Sequence, residues 1–137
     1  MFSHLLHLRG VESVVLDLRT REDIEQTIKA GVLEQGTVDL MTATGVGDRL
    51  RRDGFVHHGI NLAFGGEMHR INLFEASGGR AVTVYAQHEV LKDLIAKRLD
   101  DGGDVRFGVT DTSVDGIRRR SAHGPVHSRG AGTDPRV

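Results

Sequence analysis

A lysine and two glycines mark the segment of this sequence that is best suited to binding an anion. Residues 29–36 (KAGVLEQG) form a glycine-punctuated turn that leads directly into a predicted helix. Backbone N–H groups at the start of a helix point outward, so such a turn can hold a phosphate, and Lys29 adds a positive charge. A plain connection between two elements explains the same pattern. On the residues alone, the plain connection is the favoured interpretation.

The second candidate residue is an acid that follows an apolar run. Residues 14–16 (VVL) are apolar without alternation, which predicts a strand buried on both faces of a parallel sheet. A short helical stripe at 4–8, ended by Gly10, precedes this strand, and Asp17 closes it. Helix, glycine, buried strand and acid form the second half of a βαβ nucleotide-binding unit. A role as an N-cap or loop residue is the alternative for Asp17.

The elements that must position these residues predict a mixed α/β fold. Apolar residues at helical spacing predict helices over about 20–28, 34–44 and 88–99. Alternating residues predict a hairpin of 60–64 with 71–73 around Gly65-Gly66, and further strands at 81–85 and 105–109. Residues 49–53 are so rich in charge that they are expected to be a solvated stretch.

Eight histidines raise the alternative of a metal site, which their spacing does not favour. His57, His58 and His69 could meet beside the predicted hairpin, but adjacent residues on a strand point to opposite faces. The sequence holds no H-E-x-x-H motif. We therefore expect no metal ligands, and we expect His4 and His7 to be surface or boundary residues.

The composition describes one soluble domain with no redox-active thiol. The 137 residues include no cysteine and no tryptophan, and no apolar run approaches the roughly 20 residues of a membrane helix. A cytoplasmic location and no membrane partner are the resulting expectations. The net charge of −1 combines an acidic body with a basic end that holds five arginines and one acid from Arg118 onward. We expect residues 118–137 to be disordered, and three adjacent arginines without aromatic neighbours do not predict nucleic-acid binding.

Three separated motifs resemble one family of flavoproteins. These are AGVLEQGTVDL at 30–40, DGFVHHGI at 53–60 and GGRAVTVYAQHEV at 78–90. In this order and spacing they resemble the 4-hydroxybenzoate 3-monooxygenases, and the resemblance covers about residues 4–115. Members of that family use NADPH to reduce FAD and then hydroxylate an aromatic substrate with O2. The resemblance therefore implies FAD as the cofactor, NADPH as the reductant and an aromatic small molecule as the substrate.

The resemblance also implies which residues contact FAD, and none of them is catalytic. Asp17 matches the acid that binds the adenosine ribose, and Gln87 matches a glutamine that contacts FAD. Four consecutive residues match the segment that approaches the pyrophosphate and the flavin: Lys29, Ala30, Gly31 and Val32.

The sequence departs from the family pattern at three charged positions. Lys29 replaces an arginine, which keeps the charge but loses the planar fork that suits a diphosphate. Thr27 replaces a second arginine of the same segment and carries no charge. Leu18 stands where the family often has an arginine linked to NADPH.

The resemblance implies a partial domain. We expect residues 1–117 to be a Rossmann-like FAD-binding region of the glutathione-reductase type, with an inserted hairpin but without its first strand and glycine-rich turn. The chain would then be a truncated or frame-shifted piece of a monooxygenase, inactive alone and with weak or absent FAD binding. The alternative is a non-enzymatic remnant that self-associates through an exposed sheet edge.

Overall fold

The computed structural model describes residues 1–114 and the backbone of residues 126–128. The chain divides into two units, and each is described by itself. The first unit comprises Met1–Ile24 and Arg98–Val137, and the second comprises Glu25–Lys97.

The first unit contains a parallel strand pair. Helix α1 (Phe2–His7) is followed by strand β1 (Val14–Leu16), which pairs in parallel with β7 (Asp104–Arg106). Helix α2 (Arg21–Gln26) begins soon after β1, and its Ile24 is buried. Gly108 has a φ of +65°, which ends β7 and starts a new strand, β8 (Val109–Thr112). The alternation at 105–109 therefore belongs to two strands.

The prediction that β1 is buried on both faces is wrong. Val14 is 52% exposed and Leu16 is 37% exposed, while Val15 is half-buried. Among the described residues, β7 is the only strand that pairs with β1. The apolar run correctly predicts a parallel strand, but apolar composition alone does not supply the layers that would cover it.

The prediction that His4 is a surface or boundary residue is also wrong. The side chain of His4 is fully buried, whereas that of His7, one turn later on α1, is 42% exposed. Both imidazoles approach the same oxygen of Asp101, with His4 Nδ1 at 3.9 Å and His7 Nε2 at 3.7 Å.

The second unit is built on an antiparallel sheet of three strands. Its order is β2 (Val32–Glu34), β6 (Val82–Val84) and β3 (Phe55–His57). In the register, Leu33 and Val56 lie on either side of the buried Thr83.

Two helices between β2 and β3 provide much of the core of this unit. Helix α3 (Gln35–Ala43) confirms the helix predicted at 34–44 and buries Met41 completely. Helix α4 (Asp48–Asp53) covers the segment that was expected to be a solvated stretch, and that prediction is confirmed for the exposed residues 51–53 but wrong for the inner side of the helix. Its Leu50 is 1% exposed, and this one inward apolar residue anchors an otherwise charged helix.

The predicted hairpin and the long helix are both confirmed. Strands β4 (Gly59–Phe64) and β5 (Glu67–Asn72) pair around Gly65 and Gly66, whose φ values are +61° and +80°. Helix α5 (Leu73–Ala76) follows the hairpin, and α6 (Gln87–Asp100) follows β6.

The described elements confirm the mixed α/β class and include one parallel pair, while the finer Rossmann-like arrangement stays a prediction. Most of the segment expected to be disordered, 118–137, lies outside the described residues. Within it the structure describes β9 (Val126–Ser128), which pairs with β8. No helix in the described part of the chain has the length and apolar character needed to cross a bilayer.

Candidate functional site

Main-chain hydrogen bonds bring the predicted segment around Gly31 against the start of α6. The N–H of Tyr85 donates to the carbonyl oxygen of Gly31 at 3.1 Å, and the N–H of Gln87 donates to that of Lys29 at 3.1 Å. These bonds continue the antiparallel pairing of β2 with β6 beyond Val32. Five of the six residues predicted to contact FAD therefore lie together: Lys29, Ala30, Gly31, Val32 and Gln87.

Gly31 occupies a position where no side chain fits. The residue is buried, and a Cβ at this position would lie 2.9 Å from the main-chain nitrogen of Gln87 and in collision with the carbonyl oxygen of Tyr85. Both neighbours are backbone atoms and cannot rotate away. A glycine is therefore required for the two segments to approach this closely.

The side chains around this contact leave polar groups available to a ligand. Lys29 and Gln87 are exposed, and the structure gives Lys29 no ion pair with a described residue. Ala30 is exposed, and Val32 is 63% exposed. An accessible ammonium and an accessible amide are donors of the kind that bind a diphosphate.

Asp17, the sixth predicted residue, lies in the first unit and is held by Arg19. The guanidinium donates to both carboxylate oxygens, from Nε to Oδ1 at 3.1 Å and from Nη2 to Oδ2 at 3.0 Å. The N–H of Arg19 also donates to Oδ1 at 2.9 Å. These hydrogen bonds hold the pKa of Asp17 below its ordinary value. Asp17 is thus ionised at neutral pH, and an ionised carboxylate is a good acceptor of hydrogen bonds from hydroxyl groups.

A charged network lies directly behind Tyr85 in the second unit. The Tyr85 hydroxyl donates to Asp93 Oδ2 at 2.8 Å, and Arg49 donates to Asp93 Oδ1 at 2.5 Å. Arg49 also donates to Glu89, which in addition accepts a hydrogen bond from Lys92 at 2.7 Å. Burial, together with the bond to Asp93, raises the pKa of Tyr85 well above its ordinary value.

The sequence analysis missed this network. Glu89 and Asp93 are four residues apart and therefore share one face of α6, which was the available signal. Arg49, which joins these two carboxylates, was expected to lie in a solvated stretch. Its partners lie 40 and 44 residues further along the chain, a separation that periodicity does not bridge.

The Glu89 carboxylate should make stability depend on acid pH. Its neighbours Lys92 and Arg49 lower its pKa from the ordinary 4.5 to about 2. A carboxyl whose pKa is depressed by folding stabilises the protein above its unfolded pKa, and that stabilisation is lost as pH falls through its folded pKa. We therefore expect the free energy of unfolding to fall between pH 4.5 and about 2. Urea titrations across this range measure it.

Two variants assign that acid dependence to Glu89. Glu89→Gln should flatten the decline because the titrating group is gone. Lys92→Met should give an intermediate slope because the hydrogen bond that lowers the pKa of Glu89 most is removed. A Glu89→Gln profile parallel to that of the wild type would show that other carboxyls are responsible.

Two histidines of the hairpin region pack against phenylalanine rings. His69 stacks on Phe64 with ring centroids 3.9 Å apart, and His58 packs at a tilt against Phe74 at 4.8 Å. In the described part of the chain, no group of three or more histidine or acidic side chains is placed to hold a metal ion.

Comparison with known proteins decides the family. The family described as FAD binding domain matches residues 1–129. This chain belongs to the FAD binding domain family. It is 37% identical over 102 residues to the p-hydroxybenzoate hydroxylase of Acinetobacter baylyi, and the matched region is 74% of this chain and 25% of that protein. The resemblance to FAD-dependent aromatic hydroxylases is therefore confirmed. The match covers about a quarter of the length of this relative.

Proposed function

We propose that this chain provides FAD-binding residues to a flavin-dependent aromatic hydroxylase. Membership of the FAD binding domain family supports this proposal, as does similarity to p-hydroxybenzoate hydroxylase. The observation that carries it is the pairing of Lys29–Gly31 with Tyr85–Gln87, which collects five predicted FAD ligands from two distant parts of the sequence.

Each proposed ligand has a distinct physical role. Lys29 places its ammonium beside the diphosphate, and Gly31 allows the backbone to approach without a side chain between. Gln87 offers an amide that can both donate and accept a hydrogen bond. Asp17, held ionised by Arg19, accepts from the ribose hydroxyls. Ala30 and Val32 supply small, exposed apolar contacts beside these polar groups.

Bound FAD, reduced by NADH or NADPH, supplies the chemistry that transfers oxygen from O2 to 4-hydroxybenzoate in the whole enzyme. The residues of this chain contribute binding and orientation to that reaction. No catalytic residue is assigned among them, and we propose that the chain is inactive alone.

We expect this chain to bind FAD weakly. The printed sequence contains no G-x-G-x-x-G turn, whose backbone N–H groups supply much of the affinity for pyrophosphate in dinucleotide-binding folds. The purified chain should be colourless, and titration with FAD followed by flavin fluorescence should give a Kd of about 0.01–1 mM. A yellow protein with one FAD per chain after gel filtration would contradict this expectation.

Substitution of Lys29 tests the proposed site directly. Lys29→Met should raise the Kd for FAD by about tenfold because one charged contact to the diphosphate is lost. Binding of riboflavin, which has no phosphate, should be unchanged. Arg51→Met is the matched control, because Arg51 is an exposed cation on α4 that pairs only with Asp48 among the described residues. Equal FAD affinity of Lys29→Met and wild type would overturn the assignment of Lys29.

Self-association is the second candidate property, and exposed apolar residues favour it. Val14 and Leu16 lie exposed on β1, and Phe64 and Met68 are 61% and 69% exposed on the hairpin. Sedimentation velocity at several protein concentrations distinguishes a self-associating chain from a monomer. A concentration-dependent rise in mass supports self-association, and a constant monomer mass contradicts it.

A further inference from the structure

Tyr85 belongs both to the candidate site and to the network behind it. Its main-chain N–H donates to Gly31, while its hydroxyl donates to Asp93 on the second turn of α6. The residue is 5% exposed, so its ring is held inside the second unit. Motion of this side chain would therefore be transmitted to the backbone that supports Gly31.

Asp93 fixes the hydroxyl of Tyr85 because both of its oxygens are engaged. Oδ2 accepts from Tyr85 and Oδ1 accepts from Arg49, and the carboxylate side chain is 8% exposed. A buried carboxylate with two donors is held in one orientation, since any rotation would leave a charged oxygen without a partner.

Arg49 connects this arrangement to a second element. It extends from α4 to Asp93 and also to Glu89, which lies one turn closer to the start of α6. Glu89 is supported by Lys92 and lies 3.2 Å from the Nε2 atom of His88. One guanidinium thereby ties α4 to the first two turns of α6, next to Gln87.

We propose that Tyr85, Asp93 and Arg49 are positioning residues for the candidate FAD site. They fix the Tyr85–Gln87 backbone, which is hydrogen-bonded to Lys29 and Gly31. In this way they determine the affinity for FAD without contacting it. This inference rests on the proposed function, in which this hydrogen-bonded segment binds FAD. The hydroxyl of Tyr85 is the decisive group, because a phenyl ring would fill the same space and make no bond to Asp93.

The test uses two buried hydroxyl deletions in the full chain. Tyr85→Phe removes the network hydroxyl, and Thr83→Val is the matched control, since Thr83 is 5% exposed on the adjoining strand. In Tyr85→Phe, NMR-detected hydrogen exchange of the Tyr85 and Gln87 amides should accelerate about tenfold, as expected for loss of one hydrogen bond to a charged acceptor. The amides of β3 should keep their wild-type rates, and Thr83→Val should leave all of these rates unchanged.

Affinity for FAD provides the second measurement. Tyr85→Phe should raise the Kd for FAD about five- to tenfold, whereas Thr83→Val should change it less than twofold. Asp93→Asn should retain much of the amide protection, because its side-chain oxygen still accepts from Tyr85, while Asp93→Ala should lose it. The Asn and Ala pair decides the question if Tyr85→Phe does not fold.

The outcomes separate this inference from the proposed function. Unchanged exchange at Tyr85 and Gln87 overturns the inference, and so does accelerated exchange with unchanged affinity for FAD. If wild type and all variants fail to bind FAD, the proposed function is wrong. Exchange then still decides whether the network positions the segment.

Discussion

Gly31→Ala is expected to lower the free energy of unfolding by about 2–4 kcal/mol, a large effect for the addition of one methyl group. The new Cβ would collide with the carbonyl oxygen of Tyr85 and lie 2.9 Å from the nitrogen of Gln87. Relief requires separating the two segments, which breaks the hydrogen bonds from Tyr85 to Gly31 and from Gln87 to Lys29. Urea unfolding followed by circular dichroism measures the loss, and FAD titration should show a parallel loss of affinity.

Gly36→Ala is the matched control for this substitution. Gly36 lies in the first turn of α3, and a Cβ there meets no atom within 4 Å. Because alanine favours helix over glycine, this variant should be unchanged or more stable by up to about 1 kcal/mol. Similar destabilisation in both variants would mean that the close approach at Gly31 is not the cause.

Arg49→Met should destabilise the chain by about 1–2 kcal/mol at neutral pH, a value between those of buried and exposed ion pairs because the Arg49 side chain is 40% exposed. The change leaves the Asp93 carboxylate, which is 8% exposed, with Tyr85 as its remaining described partner and with Glu89 one turn away. Methionine retains much of the aliphatic length, so the loss reports the guanidinium and not a cavity. The midpoint of urea unfolding measures it.

Arg51→Met provides the comparison within the same helix. Arg51 is 60% exposed, and its partner Asp48 is 83% exposed, so loss of this pair should change the free energy of unfolding by less than about 0.5 kcal/mol. Equal effects of the two substitutions would show that Arg49 acts as an ordinary surface charge.

Local patterns predicted the elements whose signals are local. The glycine pair at 65–66 predicted the hairpin, and apolar residues at helical spacing predicted α6. Both elements are determined largely by residues that are close in sequence. The errors arise where contacts with residues distant in sequence determine whether a side chain is buried. Residues 49–53 were assigned to solvent from their charge, yet Arg49 is tied to α6 and Leu50 enters the core.

The residue pattern alone singled out residues 29–36 as a possible anion-binding segment, and only the family resemblance added Gln87 to the candidate site. Nothing in the periodicity of residues 29–36 indicates that they pair with Tyr85–Gln87, because antiparallel partners are chosen by tertiary packing. The resemblance predicts which residues contact FAD, but it does not predict the residues that support them. The hydroxyl bond from Tyr85 to Asp93 depends on the placement of two side chains, which neither a sequence motif nor its spacing gives.

The buried phenol of Tyr85 also makes the candidate site observable by intrinsic fluorescence. The sequence contains one tyrosine and no tryptophan, so all ultraviolet emission of the tyrosine type originates beside Gly31. A phenol bonded to a carboxylate, as Tyr85 is to Asp93, emits weakly because its excited state readily gives up the proton. Opening of this junction would therefore brighten the protein, which carries an intrinsic reporter at the position where cofactor binding is proposed.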